Sequence, residues 1–271
     1  MKYGLIAGNG RFALLALESA ARLGHEVVAI GIQEEAPREI ETLAQKTYWI
    51  SLGALGRLIE ICKSEGIKEV MMCGQVKHAS IFSSIRPDWR LAKLLMTMRS
   101  KNTDALIGAV IRVLADEGIR LVDSTLLLKP LLAGAGVLTR RKPDGDEEKE
   151  ARYGRSVANA LSGFDVGQSV AICDRACVAV EAMEGTDAML RRAASLVNGR
   201  PMRLVKAARR REHLLFDVPV AGPATIRTMM ETNTTLLSVE AGRTLLLDRE
   251  EMLALANEGR IAVVGHEGDK P

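Results

Sequence analysis

The strongest constraint on the fold lies in the first 32 residues, where an apolar run (3–7), a glycine turn, a helical stretch (11–23) and a second apolar run (26–32) follow in close order. A continuous apolar strand is covered on both faces, and a helical crossover joins parallel strands. The alternation continues with helix 54–65, strand 69–73, helices around 89–100 and 103–117, and a strand at 120–122. It specifies a parallel sheet with helices on both sides.

The second half starts differently. Residues 166–173 and 176–181 read as a hairpin turning at Asp174-Arg175, followed by helix 187–197 and strand 203–207. Helix 223–232, strands 235–240 and 244–247, helix 249–258 and strand 261–264 complete it. Between the halves, residues 133–150 carry three glycines, a proline and dense charge with no core period, which marks a linker or exposed loop. The expected class is α/β with two α/β domains: a Rossmann-like parallel sheet over 1–132 and a mixed-sheet catalytic domain over 151–271. With 2 Trp, 3 Tyr and 4 Phe, both cores rest on aliphatic side chains.

Charge narrows the partners. The chain has 37 Lys and Arg against 34 Asp and Glu, a formal +3, without the basic excess of a dedicated nucleic-acid binder. The first 20 residues lack the apolar centre of a signal peptide, and no uncharged apolar run reaches membrane-spanning length. Cys62, Cys73, Cys173 and Cys177 have no CxxC spacing and read as buried reduced thiols of a cytoplasmic protein.

Candidate chemistry begins at Gly8-Asn9-Gly10-Arg11-Phe12-Ala13, a GxGxxA turn between a strand and a helix. Glycines there permit close approach of a phosphate to helix amides, and Glu34 is the acidic residue expected after the second strand. Gly74 and Gln75 leave another strand at the same edge, where open parallel sheets collect ligands. Asp88 is placed to cap a basic amphipathic helix with Leu91, Leu94, Leu95 and Met98 on one face, suited to an anionic lipid interface, an acyl-chain groove or ordinary packing. In the second half, carboxylates end strands at Glu181 and Glu240, Asp217 stands ahead of the helix that starts at Pro223, and Asp187 lies at a helix start behind Thr186, a natural cap. Carboxylates repel phosphate, so a cleft of this kind acts on a phosphate through a cation such as magnesium.

Five segments together carry a resemblance: Gly4-Leu5-Ile6-Ala7-Gly8-Asn9-Gly10, Phe164-Asp165-Val166-Gly167-Gln168, the Glu181–Asp187 run, Asp217-Val218-Pro219-Val220-Ala221-Gly222-Pro223 with Ala224-Thr225-Ile226, and Glu240-Ala241-Gly242. In this order and over nearly the whole chain they resemble the UDP-2,3-diacylglucosamine pyrophosphatases of the LpxI type. The resemblance implies hydrolysis of a lipid-linked UDP-sugar to UMP and 2,3-diacylglucosamine 1-phosphate with Mg2+ in lipid A biosynthesis. It also implies a homodimer, ligand bound between two domains, and a cytoplasmic location peripheral to the inner membrane.

On that resemblance Asp217 is the catalytic residue, and Asp217, Asp187 and Glu181 hold the metal. Gly8, Asn9, Gly10, Arg11, Gly74, Gln75, Gln168, Thr186 and Lys206 contact the substrate. The family's Lys-Pro-x-Gln-Asp-x-Arg run is replaced by Arg209-Arg210-Arg211-Glu212-His213-Leu214-Leu215. That departure keeps a catalytically weak or silent lipid or sugar-nucleotide binder in view, and the glycine turn keeps a NAD-dependent oxidoreductase. An acyl substrate further requires an apolar slot, for which Leu126–Leu128 with Leu131-Leu132, and the helix over 88–99, are the candidates.

Overall fold

The computed structural model describes residues 2–74, 76, 87–98, 103–164, 166–208 and 218–268. Two compact units meet in sequence between Leu128 and Lys129.

In the first unit, β1 (Lys2–Ala7), β2 (Glu26–Ile32), β3 (Lys46–Ile50), β4 (Glu69–Cys73) and β5 (Arg120–Leu121) form one sheet in the order β3-β2-β1-β4-β5. Every pairing is parallel. The order runs outward both ways from β1, so the carboxyl ends of β1 and β4 flank the point where the chain reverses direction across the sheet. Helices α1 (Phe12–Arg22), α2 (Ile40–Leu43), α3 (Leu55–Ser64), α4 (Trp89–Thr97) and α5 (Thr103–Asp116) accompany it. Leu5, Ile30 and Val70 are fully buried on the central strands, each contributing about 1.5–3 kcal/mol by leaving water. The start of α4 is set as the sequence predicts: the Asp88 carboxylate accepts from the Leu91 N–H at 2.9 Å, and also from the Gly56 N–H at 2.5 Å.

The second unit holds a six-stranded mixed sheet, β6 (Gly136–Val137), β7 (Ser169–Cys173), β8 (Ala176–Val180), β9 (Met202–Lys206), β11 (Thr234–Glu240) and β13 (Ala262–His266), ordered β6-β13-β11-β9-β7-β8. Its centre, β9-β11-β13, is parallel, with antiparallel strands on either side. A separate parallel pair joins β10 (Val220–Ala221) to β12 (Leu245–Leu246). The helices are α6 (Gly145–Gly163), α7 (Thr186–Val197), α8 (Pro223–Glu231, with its proline in the first turn) and α9 (Arg249–Glu258). The expected hairpin turns at Asp174 and Arg175, with φ of 48° and 63°. Both central residues of a tight two-residue turn of this hand need positive φ.

Residues 133–150 differ from the expected linker. Gly136–Val137 pair with β13, the Ala133 N–H donates to the Thr244 carbonyl at 2.8 Å, and the Leu138 N–H donates to the Val263 carbonyl at 2.8 Å. Asp144 then caps α6 in a reciprocal box with Glu147. Glu147 is buried, gripped at both oxygens by Arg141 and by the Thr235 hydroxyl at 2.5 Å. Burial alone would raise its pKa, but Arg141, Thr235 and the Asp144 amide hold the carboxyl below its ordinary value. Two of the charges in this stretch, Glu147 and Glu150, are buried in ion pairs with Arg141 and Arg203, while Asp146, Glu148 and Lys149 stay exposed. The following 19-residue helix, which no sequence period announced, packs tightly on the sheet at Gly154, where a Cβ would meet Val205 Cγ2 at 2.6 Å.

Candidate functional site

Sequence places the first cluster at the carboxyl edge of the parallel sheet, and the structure assembles it there. The Gly8 N–H donates to the Cys73 carbonyl at 2.9 Å, tying the end of β1 to the end of β4. Gly10 has φ +93° and Gly74 φ +105°. A Cβ on Gly74 would stand 2.7 Å from the Asn9 carbonyl oxygen and 2.8 Å from the Gly8 carbonyl carbon. Positive φ favours glycine at both positions, and Gly74 alone lets the two strand exits approach closely. Arg11 is exposed and occupies the N-cap of α1 without a side-chain cap bond. Burial drives the Cys73 thiol pKa far up, which disfavours its thiolate.

The acid associated with this turn is a neighbour of the expected one. Glu34 is exposed and accepts from the Leu52 N–H at 3.0 Å. Glu35, only 8% exposed, meets the Asn9 side-chain amide at 3.4 Å. Sequence spacing cannot choose between adjacent glutamates, whereas the turn after β2 puts Ile32 and Glu35 inward.

An apolar cavity of about 160 Å³ lies beside this turn in the same unit. Its lining includes Ile6, two residues before Gly8, together with Met72 and Val76, which bracket Gly74. The other side is formed by Leu91 of α4 and by Leu106, Val110 and Ile111 of α5. Of the expected apolar face of α4, Leu91 faces the cavity while Leu94 and Leu95 pack on the core. The leucines at 126–132 do not line this cavity. Leu127 and Leu128 are buried in the first unit, and Leu132 in the second bridges to Leu245.

In the second unit, Lys206, Glu240 and His266 end β9, β11 and β13 at one edge. Lys206 is buried and its Nζ donates to Thr186 Oγ1 at 2.8 Å, while the Thr186 hydroxyl donates to Glu181 Oε1 at 2.8 Å. Ser169 Oγ stands 3.3 Å from Thr186 Oγ1, and the Gln168 carbonyl accepts from the Ala207 N–H at 2.9 Å. Four predicted residues are thus brought together, and Ser169, which the sequence analysis missed, joins them. One detail is corrected: Gly185, with φ +83°, is the N-cap of α7, and Thr186 is its first helical residue. A glycine that leaves the strand at positive φ frees the threonine hydroxyl to bridge the lysine and the glutamate.

Glu184 belongs to the turn itself. A hydrogen bond from Arg192, then backbone amides, hold its carboxyl below the usual range. Asp187 sits in the first turn of α7. Glu240 accepts from the Ala208 N–H at 3.2 Å and from Arg243 at 3.2 Å, at the root of the segment leading to Asp217. Glu181 follows β8 and Glu240 ends β11, three strands apart in the sheet order. Among the described residues no three His, Cys, Asp or Glu side chains gather as a metal site. Gln75, Asp217 and residues 209–215 lie outside the described residues.

The LpxI N-terminal domain family matches residues 2–131, and the LpxI C-terminal domain family matches residues 134–264. A protein of Caulobacter vibrioides named UDP-2,3-diacylglucosamine pyrophosphatase LpxI is 28% identical over 274 residues, spanning 97% of each chain. Among solved structures, the biotin carboxylase domain of a thermophilic 2-oxoglutarate carboxylase is 12% identical with a TM-score of 0.28. It aligns with 64% of this chain, which spans 35% of its length. The UDP-glucose-4-epimerase of Stenotrophomonas maltophila is 15% identical with a TM-score of 0.28, over 46% of this chain and 38% of its own. Likeness so slight says nothing about what this chain binds.

Proposed function

Because this chain belongs to the LpxI family through both of its domains, we propose that it acts in lipid A biosynthesis by hydrolysing the pyrophosphate of UDP-2,3-diacylglucosamine to UMP and 2,3-diacylglucosamine 1-phosphate. The observation that carries the reading is the pairing of a glycine turn with an apolar cavity at one sheet edge. An amphiphile with a diphosphate at one end and acyl chains at the other needs both. The turn supplies backbone amides to phosphate oxygens, and the cavity removes methylenes from water at about 0.8 kcal/mol each.

The reaction forms a bond from a water oxygen to one phosphorus and breaks the bridging P–O bond, whose oxygen leaves on the second monophosphate. Asp217 orients the water and takes its proton. Lys206 holds its ammonium at the carboxyl edge of β9, where it offsets phosphate charge; Thr186 accepts from that ammonium and is itself held by donating to Glu181. Asp217, Asp187 and Glu181 provide the hard carboxylate oxygens that magnesium takes, and the ion, when bound, neutralises charge on the diphosphate.

Incubation in 18O-water, with magnesium and then with chelator, tests the reading. One labelled oxygen in UMP or in the sugar phosphate, with the reaction stopped by chelator, is the expected result. Unchanged substrate in magnesium would favour a silent binder, and reduction of added NAD would favour an oxidoreductase.

A further inference from the structure

Helix α4 has two apolar faces of different kinds. At about 100° per residue, Leu91, Leu94 and Leu95 point inward around one direction, Leu91 onto the cavity and the other two onto the core. Opposite them, Trp89, Lys93 and Met96 fall within about 60° of arc. Trp89 is 76% exposed and Met96 88% exposed, and the Lys93 ammonium lies 5.9 Å from the centre of the Trp89 ring. Soluble proteins do not ordinarily leave a tryptophan and a methionine so bare on one helix face.

Charge chooses the partner. From residue 86 to 101 the chain carries Arg86, Arg90, Lys93, Arg99 and Lys101 against a single acid, Asp88. That acid is consumed by the amides of Gly56 and Leu91. Arg90 shares Glu117 with Lys63, so one carboxylate answers two cations there. A tryptophan, a lysine and a methionine in one stripe, within a basic stretch, match the boundary between anionic headgroups and acyl chains.

We propose that the outward face of α4 docks on an anionic lipid bilayer, seating Trp89 and Met96 at the headgroup boundary. The placement deepens the hydrolase reading, because the inward face of the same helix walls the cavity assigned to acyl chains. The docking itself rests on the exposed stripe and is tested without substrate.

The test uses the full chain with Trp49→Phe, so that Trp89 alone reports fluorescence, and vesicles of phosphatidylcholine with or without phosphatidylglycerol. A blue shift of Trp89 emission and co-sedimentation are expected only with phosphatidylglycerol. Binding should fall at least tenfold in Trp89→Ser/Met96→Ser, and Lys93→Glu should weaken the preference for anionic vesicles. Circular dichroism and turnover of detergent-dispersed substrate should stay at the unsubstituted level in the double variant. An absent blue shift, or variants that bind vesicles like the parent, would overturn the proposal. So would a double variant that alters only self-association, since the face would then join two copies of this chain. Vesicle binding without hydrolysis would leave the docking standing and sink the hydrolase reading instead.

Discussion

Lys206 is a buried side chain held by a chain of hydrogen bonds. Its ammonium is out of water, yet it is satisfied by a threonine hydroxyl that is itself satisfied by a glutamate. Replacing it with methionine keeps the stem and removes the charge, and we expect kcat/KM to fall on the order of 10²-fold, with folding intact by circular dichroism. Gly74→Ala acts through backbone instead. The strained φ should cost about 1–3 kcal/mol, read as a lower urea midpoint, with phosphate affinity falling as the 8–10 turn is pushed aside. Glu65 gives a pH signature in the first unit: hydrogen bonds from Lys46, Tyr48 and Lys2 lower its pKa from 4.5 to about 2. A carboxylate lowered in the folded state stabilises above its unfolded pKa and loses that contribution as pH falls through the folded one. The melting-temperature gap between the wild type and Glu65→Gln should therefore be constant at neutral pH and close between pH 4.5 and about 2. At this scale the sequence told residue types and left orientation open. Glu34 and Glu35 have equal claim on paper, and only the turn after β2 decides between them.

Elements were legible where periodicity or turn chemistry was strong. The apolar strands β1, β2 and β4, the Asp88-capped helix and the Asp174-Arg175 hairpin all follow from local pattern. Helix α6 did not, because its buried face is built from Ala151, Gly154 and Ala158 with two glutamates, and small residues carry little hydrophobic period. The signal that would have found it is the acidic capping box, Asp144 with Glu147, in a first turn that also carries Asp146 and Glu148. Strand β3 was missed for a related reason, since Lys46–Ile50 mixes polar and aromatic residues at the edge of its sheet. The cavity between α4, α5 and the sheet makes its own prediction. Val110→Phe should fill it with little change in melting temperature. Displacing about two methylenes of a bound chain costs about 1.6 kcal/mol, so KM for a long-chain substrate should rise about 15-fold while a short-chain analogue is spared.

For the whole molecule, the α/β class and the two-part organisation were written in the order of elements. The mixed sheet of the second unit was foreseen in kind, while its strand order was not, because β6 and β13 pair across more than 120 residues. Among the described residues no helix is long and apolar enough to cross a membrane. On the proposed function, this fold splits a lipid-sugar diphosphate with Asp217 at the reacting centre. Mass analysis of UDP-2,3-diacylglucosamine incubated with magnesium and either wild type or Asp217→Ala tests it most directly. The wild type should yield UMP and 2,3-diacylglucosamine 1-phosphate, and the variant neither, although it still binds the substrate. Release of UDP in place of UMP, or a variant that turns over at the wild-type rate, would contradict it.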